Sequence, residues 1–363
     1  MSLRVRHSPT DMTESLWPRI SDLPLVIDAH AVERLEAGPP TDRVTYLVRL
    51  RGGGAEGLGE DVGGDMLDEA GAFLAAAPAL QLTGAWTLAT FAAHVATLDL
   101  WPEPPEWEMA RRWRTWAFES AALDLALRQA GTGLGEALGR EPAPVRFVNS
   151  LGLGDPPDLR AVGHRIERYP TLRLKVDAQA SWSAEMAAAV ADTGAVDVVD
   201  FKGRYGLPVE DEAALLAMYE AVLARFGDAI LEDPHDLPEV AALVAPHAAR
   251  VSFDAPIATA GDVETAAFGA RTVNVKPSRI GSLEALLDVY AYCERNGIAM
   301  YGGGMGEVGV ARGQIELLAA LFHPDAPNDV APSDYNLPEL PAGLPPSPLT
   351  PPRGVTGFRW ADS

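Results

Sequence analysis

Five side chains recur at a near-regular interval: Lys175, Asp200, Glu232, Asp254 and Lys276, separated by 25, 32, 22 and 22 residues. Each closes a short apolar run, in turn "TLRLKV", "AVDVVDF", "AILEDP", "RVSFDAP" and "TVNVKPS". Three carboxylates carried to one rim by adjacent strands would raise one another's pKa if left unpaired, so a divalent cation is their natural neutraliser. An all-oxygen set with no Cys or His favours Mg²⁺ over zinc. Acids at strand ends also serve as helix caps, and Asp233 before Pro234 fits that simpler role, with Pro at the first helical position.

Side chains two apart share a strand face. Arg173, Lys175 and Asp177 are thereby expected to point one way, as are Asp200 with Lys202 and Asn274 with Lys276. Lys175 and Lys276 then approach the acids from different strands across a common mouth.

The elements needed to hold these residues are legible. From Val145 onward, strands alternate with helical stretches such as "DEAALLAMYEAVLARFG" and "LEALLDVYAYCERNG". Seven such strands, with a possible eighth around "NDVAPS", predict a parallel barrel whose chemistry sits at the C-terminal strand ends. Residues 143–336 form this unit. Residues 1–140 read as α+β: an antiparallel sheet over 16–62, with "DRVTYLVRLRG" turning at "GGGAE" into "GLGED", then helices from 66 to 139. Phe118, Ala122, Leu125, Ala126 and Gln129 fall at helical spacing, with Gly131 as the stop. The Pro-rich tail 337–363 is expected to complete the N-terminal domain.

One motif competes with this reading. Gly304-Met305-Gly306-Glu307-Val308-Gly309 spells G-x-G-x-x-G between "GIAM" and a helical run. A dinucleotide site needs a second parallel strand after that helix, whereas "HPDAPNDVAPSDYN" follows. The glycines belong to the seventh barrel strand, where bare backbone lets a ligand approach.

Composition narrows the partners. With 29 Lys and Arg against 51 Asp and Glu, the net charge is −22, which repels nucleic acid and anionic membranes. Neither a signal-peptide core nor an apolar run of spanning length is present, and a soluble cytoplasmic protein is expected. The single Cys293 is read as buried and structural.

These residues carry a resemblance to the enolase superfamily, in its muconate-lactonizing-enzyme-like branch (the mandelate racemase/muconate lactonizing enzyme family). "YLVRLRGGGAEGLGE" resembles the capping-domain strand, turn and "GxGE" signature, and "AFESAALDLALRQAGTGLGEALG" the helix leading to the barrel. "RLK" at 173–175 resembles the KxK strand. "ILEDP", "SFDAP" and "NVKPSRIGSL" resemble the Glu, Asp and Lys strands, and "GGGMGEVG" the small-residue seventh strand. The resemblance implies an α/β fold: a (β/α)7β modified TIM barrel with an N-terminal α+β capping domain. It also implies Mg²⁺ held by Asp200, Glu232 and Asp254, with a small carboxylate substrate on the metal. Lys175 and Lys276 would be opposed acid/base groups, and a homo-oligomer is the family habit. A preset cation stabilises the enediolate formed as the α-proton leaves. Crowding by Arg173 and Lys202 is expected to lower the pKa of Lys175. Opposed bases favour racemisation or epimerisation; syn β-elimination or cycloisomerisation and a non-catalytic carboxylate-binding barrel are the alternatives.

Three positions depart from the pattern: Arg173 replaces the first Lys of KxK, Lys202 replaces an Asn, and Ala255 replaces a Glu. "KVDAQASW" keeps Asp177 as an outside candidate ligand. Glu307 is expected to bind substrate, orient Lys276 or serve a helix N-terminus. Tyr205 and Arg279 flank the rim, Tyr301 is a core candidate, and His235 a loop residue. His30 and Arg34, in the stretch Leu25–Pro40, are candidate specificity contacts.

Overall fold

The computed structural model describes residues 15–37, 42–64, 70–266 and 268–360. Near the N-terminus β1 (Pro24–Ile27), β2 (Ala29–Glu36), β3 (Val44–Gly52) and β4 (Ala55–Asp61) are followed by β5 (Gly84–Thr87). Strands β2, β3 and β4 form an antiparallel sheet, and β1 pairs with β5. The β3–β4 hairpin turns through Gly53 and Gly54, at φ +57° and +77°, a region open to glycine. Strand β5 interrupts a stretch that reads as helical throughout. Four residues opening with a glycine carry too little period-two signal, and pairing with β1 supplies what the local pattern lacks.

A helix over Ala110–Ala130 is the spine of this unit, burying Trp113, Trp116 and Phe118, and it ends at left-handed Gly131. Strand β4 lies directly on it. A Cβ on Gly57 would stand 2.2 Å from the Ala121 carbonyl oxygen, and one on Gly59 2.0 Å from that of Ala117. The glycines of "GLGE" are thus required by backbone contact with the helix, and that contact fixes where Glu60 points.

The second unit is a seven-stranded parallel sheet. In chain order it contains β6 (Asn149–Gly152), β7 (Leu174–Asp177), β8 (Val196–Asp200), β9 (Ile230–Glu232), β10 (Val251–Phe253), β11 (Thr272–Val275) and β12 (Ala299–Gly302). Each strand pairs with the next. The eighth stave is reduced to two parallel bridges, Gly303 with Asp329 and Phe147 with Asn328, which link β12 back toward the first strand. Helices cover the sheet, and its strands bury apolar side chains: Val198, Val199, Val273 and Val275 are fully buried. The tail returns to the N-terminal unit. Phe358 N–H and the Arg359 guanidinium both donate to Asp124 on the spine helix, and Phe358 packs edge-on against Trp116.

Candidate functional site

Lys175, Asp200, Glu232, Asp254 and Lys276 come together at the C-terminal ends of β7 to β11, all buried. β7 and β11 are second and sixth in an eight-stave ring, so their lysines enter from opposite sides. Lys175 Nζ stands 2.6 Å from Glu232 Oε1 and 3.0 Å from Asp200 Oδ2. Lys276 Nζ stands 2.8 Å from Asp254 Oδ2.

The acids are not the unpaired set that the sequence spacing suggests. Asp200 Oδ1 accepts from the Lys202 backbone N–H and Oδ2 from its Nζ. Glu232 Oε1 accepts from Lys175 and Asn274, and Oε2 from Tyr301 at 2.6 Å. Asp254 Oδ1 is held by Arg279, and Oδ2 by Lys276 and the Tyr205 hydroxyl. All six oxygens have protein donors. Among the described residues, no three His, Cys, Asp or Glu side chains stand together as a ready ligand set.

The electrostatics follow from this pairing. Burial opposes the charge on Lys175, but Glu232, Asp200 and Asp329 outweigh it and push its pKa well above the usual lysine value. The expected lowering by crowding cations is therefore overturned. Arg173 takes no part: half-exposed, it turns to the other end of the strand and pairs with Asp197, Nε to Oδ1 at 3.0 Å. It lies just before β7, whose pairing with β8 shifts register between Leu174 and Lys175. The extra residue at that irregularity is Asp197 on β8, the partner of Arg173. Glu232 is pushed up to about 8, by burial first and then by Asp200 and Asp254. Asp254 is held far below the carboxylate range, because Arg279 and Lys276 outweigh its burial.

Lys202 points into the mouth, its Nζ between Asp200 at 2.7 Å and Asp177 at 3.1 Å. Glu307 closes its own loop: Oε2 accepts from the Met305 and Gly306 N–H groups, and Oε1 from Ser278. Asp233 caps no helix. Its two oxygens take the N–H groups of Asp254 and Ala255, clamping the end of the neighbouring strand, while the next helix starts at Pro238. His235 bonds to the Tyr219 hydroxyl. His30 and Arg34 lie on β2, where His30 bonds to the Ala77 carbonyl and Arg34 pairs with Glu36. Residues 38–40, the end of that candidate loop, lie outside the described residues.

The glycine-rich segment meets protein as well as open space. A Cβ on Gly306 (φ +101°) would stand 2.6 Å from the Arg43 guanidinium, and one on Gly303 3.1 Å from Asn274 Oδ1 and Lys276 Cε. Gly304 and Gly306 also line a cavity of about 290 Å³ with Asn149, Ser150, Arg312 and Asp329. Asp329 Oδ2 lies 4.0 Å from Lys175 Nζ, which puts that space beside the lysine.

Tyr301, Ser252 and Asp329 belong to this site and were not legible as such. The Tyr301 hydroxyl, fully buried, joins Glu232 to Ser252 Oγ at 2.8 Å. Ser252 and Asn274 stand two residues before Asp254 and Lys276. Face-sharing alone was the available signal for both.

Comparison with known proteins agrees with this architecture. Residues 141–337 match the family model described as "Domain of unknown function (DUF8230) C-terminal domain", and residues 18–137 match the corresponding N-terminal domain model. An N-succinylamino acid racemase of Thermus thermophilus is 30% identical over 333 residues, covering 86% of this chain and 84% of that protein. The chain belongs to the enolase superfamily. The o-succinylbenzoate synthase of Bacillus subtilis is 24% identical over 219 residues, 59% of this chain and 58% of that enzyme, so the match spans less than two thirds of that relative. The solved dipeptide epimerase of Enterococcus faecalis V583 superposes with a TM-score of 0.68 at 17% identity, covering 93% of this chain and 99% of that one. At that identity it attests the superfamily fold, a curled parallel sheet beside an N-terminal antiparallel unit. Among the described residues, no helix is long and apolar enough to cross a membrane.

Proposed function

We propose that this superfamily member is a Mg²⁺-dependent racemase or epimerase that moves the proton α to a carboxylate in a small substrate. The observation that carries this reading is the pair of buried lysines, Lys175 and Lys276, half a barrel apart with acids between them. One amine can remove a proton from one face of a carbon while the other returns a proton to the opposite face.

The donor set suits Mg²⁺ in its chemistry: three buried carboxylates, and no sulfur or imidazole. Glu232, pushed up to about 8 by burial and then by its acidic neighbours, marks a place short of positive charge. Asp200, Glu232 and Asp254 would hold the ion once their lysine and arginine partners yield an oxygen each. Bound there, Mg²⁺ would offset the charge gathering on the substrate carboxyl oxygens as the α-proton leaves. The chain itself supplies orientation and proton transfer. Arg279 and Tyr205 fix Asp254, and Tyr301 and Asn274 fix Glu232. The cavity of about 290 Å³ beside Lys175, with Arg312 and Asp329 in its wall, gives the rest of a small acid a place to lie.

Deuterium wash-in at the α-carbon in D₂O tests the reading. N-acylamino acids, dipeptides and acid sugars are offered with Mg²⁺ to the wild type, Lys175→Ala and Lys276→Ala. Opposed bases require that each variant lose inversion, each keeping exchange for one enantiomer only. Exchange that depends on one lysine alone would shift the reading to elimination or cycloisomerisation. No exchange with any carboxylate would overturn proton abstraction.

A further inference from the structure

Lys202 stands where the superfamily pattern has an asparagine, and it occupies both oxygens of Asp200. Its backbone N–H donates to Oδ1 at 2.9 Å and its Nζ to Oδ2 at 2.7 Å. To do so its backbone sits at φ +51°, a left-handed conformation uncommon for residues other than glycine, asparagine and aspartate. The same Nζ lies 3.1 Å from Asp177 Oδ1 on the neighbouring strand. That oxygen is buried, and among the described residues it has no hydrogen bond beyond this contact. The ammonium is therefore fully engaged by one carboxylate and incompletely by another, within reach of both. Its side chain is 44% exposed, which leaves its end room to shift.

We propose that Lys202 is a built-in competitor for the metal: its ammonium holds Asp200 while the ion is away and moves to Asp177 when the ion enters. Asp177 is then the carboxylate that receives the lysine. This rests on the reading that Asp200, Glu232 and Asp254 hold Mg²⁺. A substrate-anchoring role for Lys202 is less favoured, because an incoming anion would meet an ammonium already shared by two carboxylates.

Calorimetric titration of MgCl₂ into the whole protein at fixed ionic strength tests the exchange, using the wild type, Lys202→Met, Asp177→Asn and the double variant. Thermal melts in EDTA check that each variant folds. Lys202→Met should bind Mg²⁺ about tenfold more tightly, the scale on which one partly buried ion pair acts. Asp177→Asn should bind it several-fold more weakly, because the displaced lysine has lost its second partner. The double variant should match Lys202→Met, since Asp177 matters only while Lys202 is present. General electrostatics predicts instead that Asp177→Asn weakens binding equally in both backgrounds, and that additive result would overturn the proposal. Equal affinities in all four proteins would overturn it too. Absence of Mg²⁺ binding in every protein, wild type included, would remove the metal reading and this proposal together.

Discussion

Replacing Glu60 by glutamine should separate the two halves of the molecule where they meet the site. Glu60 ends the "GLGE" segment of β4, and its buried carboxylate reaches the loop after β12. Oε1 accepts from the N–H groups of Val308 and Gly309, at 2.7 and 3.0 Å, and from the Thr45 hydroxyl at 2.8 Å. Oε2 accepts from Gly309 and Ala311, each at 3.0 Å. A glutamine keeps one acceptor and turns an NH₂ toward N–H groups that also need acceptors. With its oxygen at the Oε1 position, Ala311 N–H and the new amide are both stranded. Each buried unsatisfied donor costs about 1–3 kcal/mol. Relief of the charge's own burial, which pushes the Glu60 pKa up, offsets part of this. A net loss of about 2–3 kcal/mol is expected, read as a shift in the urea unfolding midpoint at pH 7. Hydrogen exchange at residues 308–311 should accelerate more than exchange in the spine helix. Because Gly304 and Gly306 of the same loop line the cavity, α-proton exchange should fall as well. A stability change below about 0.5 kcal/mol, with unchanged protection at 308–311, would refute the latch.

Two further outcomes follow from groups outside that latch. Glu119 is pushed up to about 7 by burial and secondarily by Glu284, although it accepts from Leu283 N–H. The folded state thus binds its proton more tightly than the unfolded chain does. This stabilisation is complete below about pH 4.5 and is lost as pH rises through 7, on the order of 3 kcal/mol in all. Glu119→Gln should remove that slope from urea titrations between pH 5 and 8, and a slope identical to the wild type would refute the assignment. Tyr301→Phe strips a hydrogen-bond donor from Glu232 Oε2 and a partner from Ser252. It should cost roughly 2 kcal/mol in unfolding free energy, and a neutral substitution would show that Glu232 does not depend on it.

The fold was legible because its signals are periodic. Strand and helix alternate from Val145 onward, and every rim residue sits at the end of an apolar run. What could not be read was where each charged group finds its partner. Arg173 and Lys175 are two apart, yet one pairs with Asp197 and the other with Glu232, and Asp197 is the extra residue where β8 slips against β7. Asp233 looks like a helix cap beside a proline, but its left-handed φ of +48° turns its carboxylate toward the adjoining strand. Tyr301 reads as one more apolar strand residue, since nothing in the local sequence announces that Glu232 lies across the barrel from its hydroxyl. Such pairings belong to barrel closure, and the contact of the N-terminal unit with the loop after β12 joins residues as far apart as Glu60 and Val308.

Charge balance at the rim bears on what the site can accept. The ion pairs there join five carboxylates, Asp177, Asp200, Glu232, Asp254 and Asp329, to four cations, Lys175, Lys202, Lys276 and Arg279. Counted with every group ionised, one negative charge is left over in this set, an excess that is costly for its buried members and goes with the upward push on Glu232 to about 8. A divalent cation alone would reverse that sign, and a substrate carboxylate alone would double the excess. The two together restore neutrality. Metal and substrate carboxylate should therefore each strengthen the binding of the other, as linkage requires.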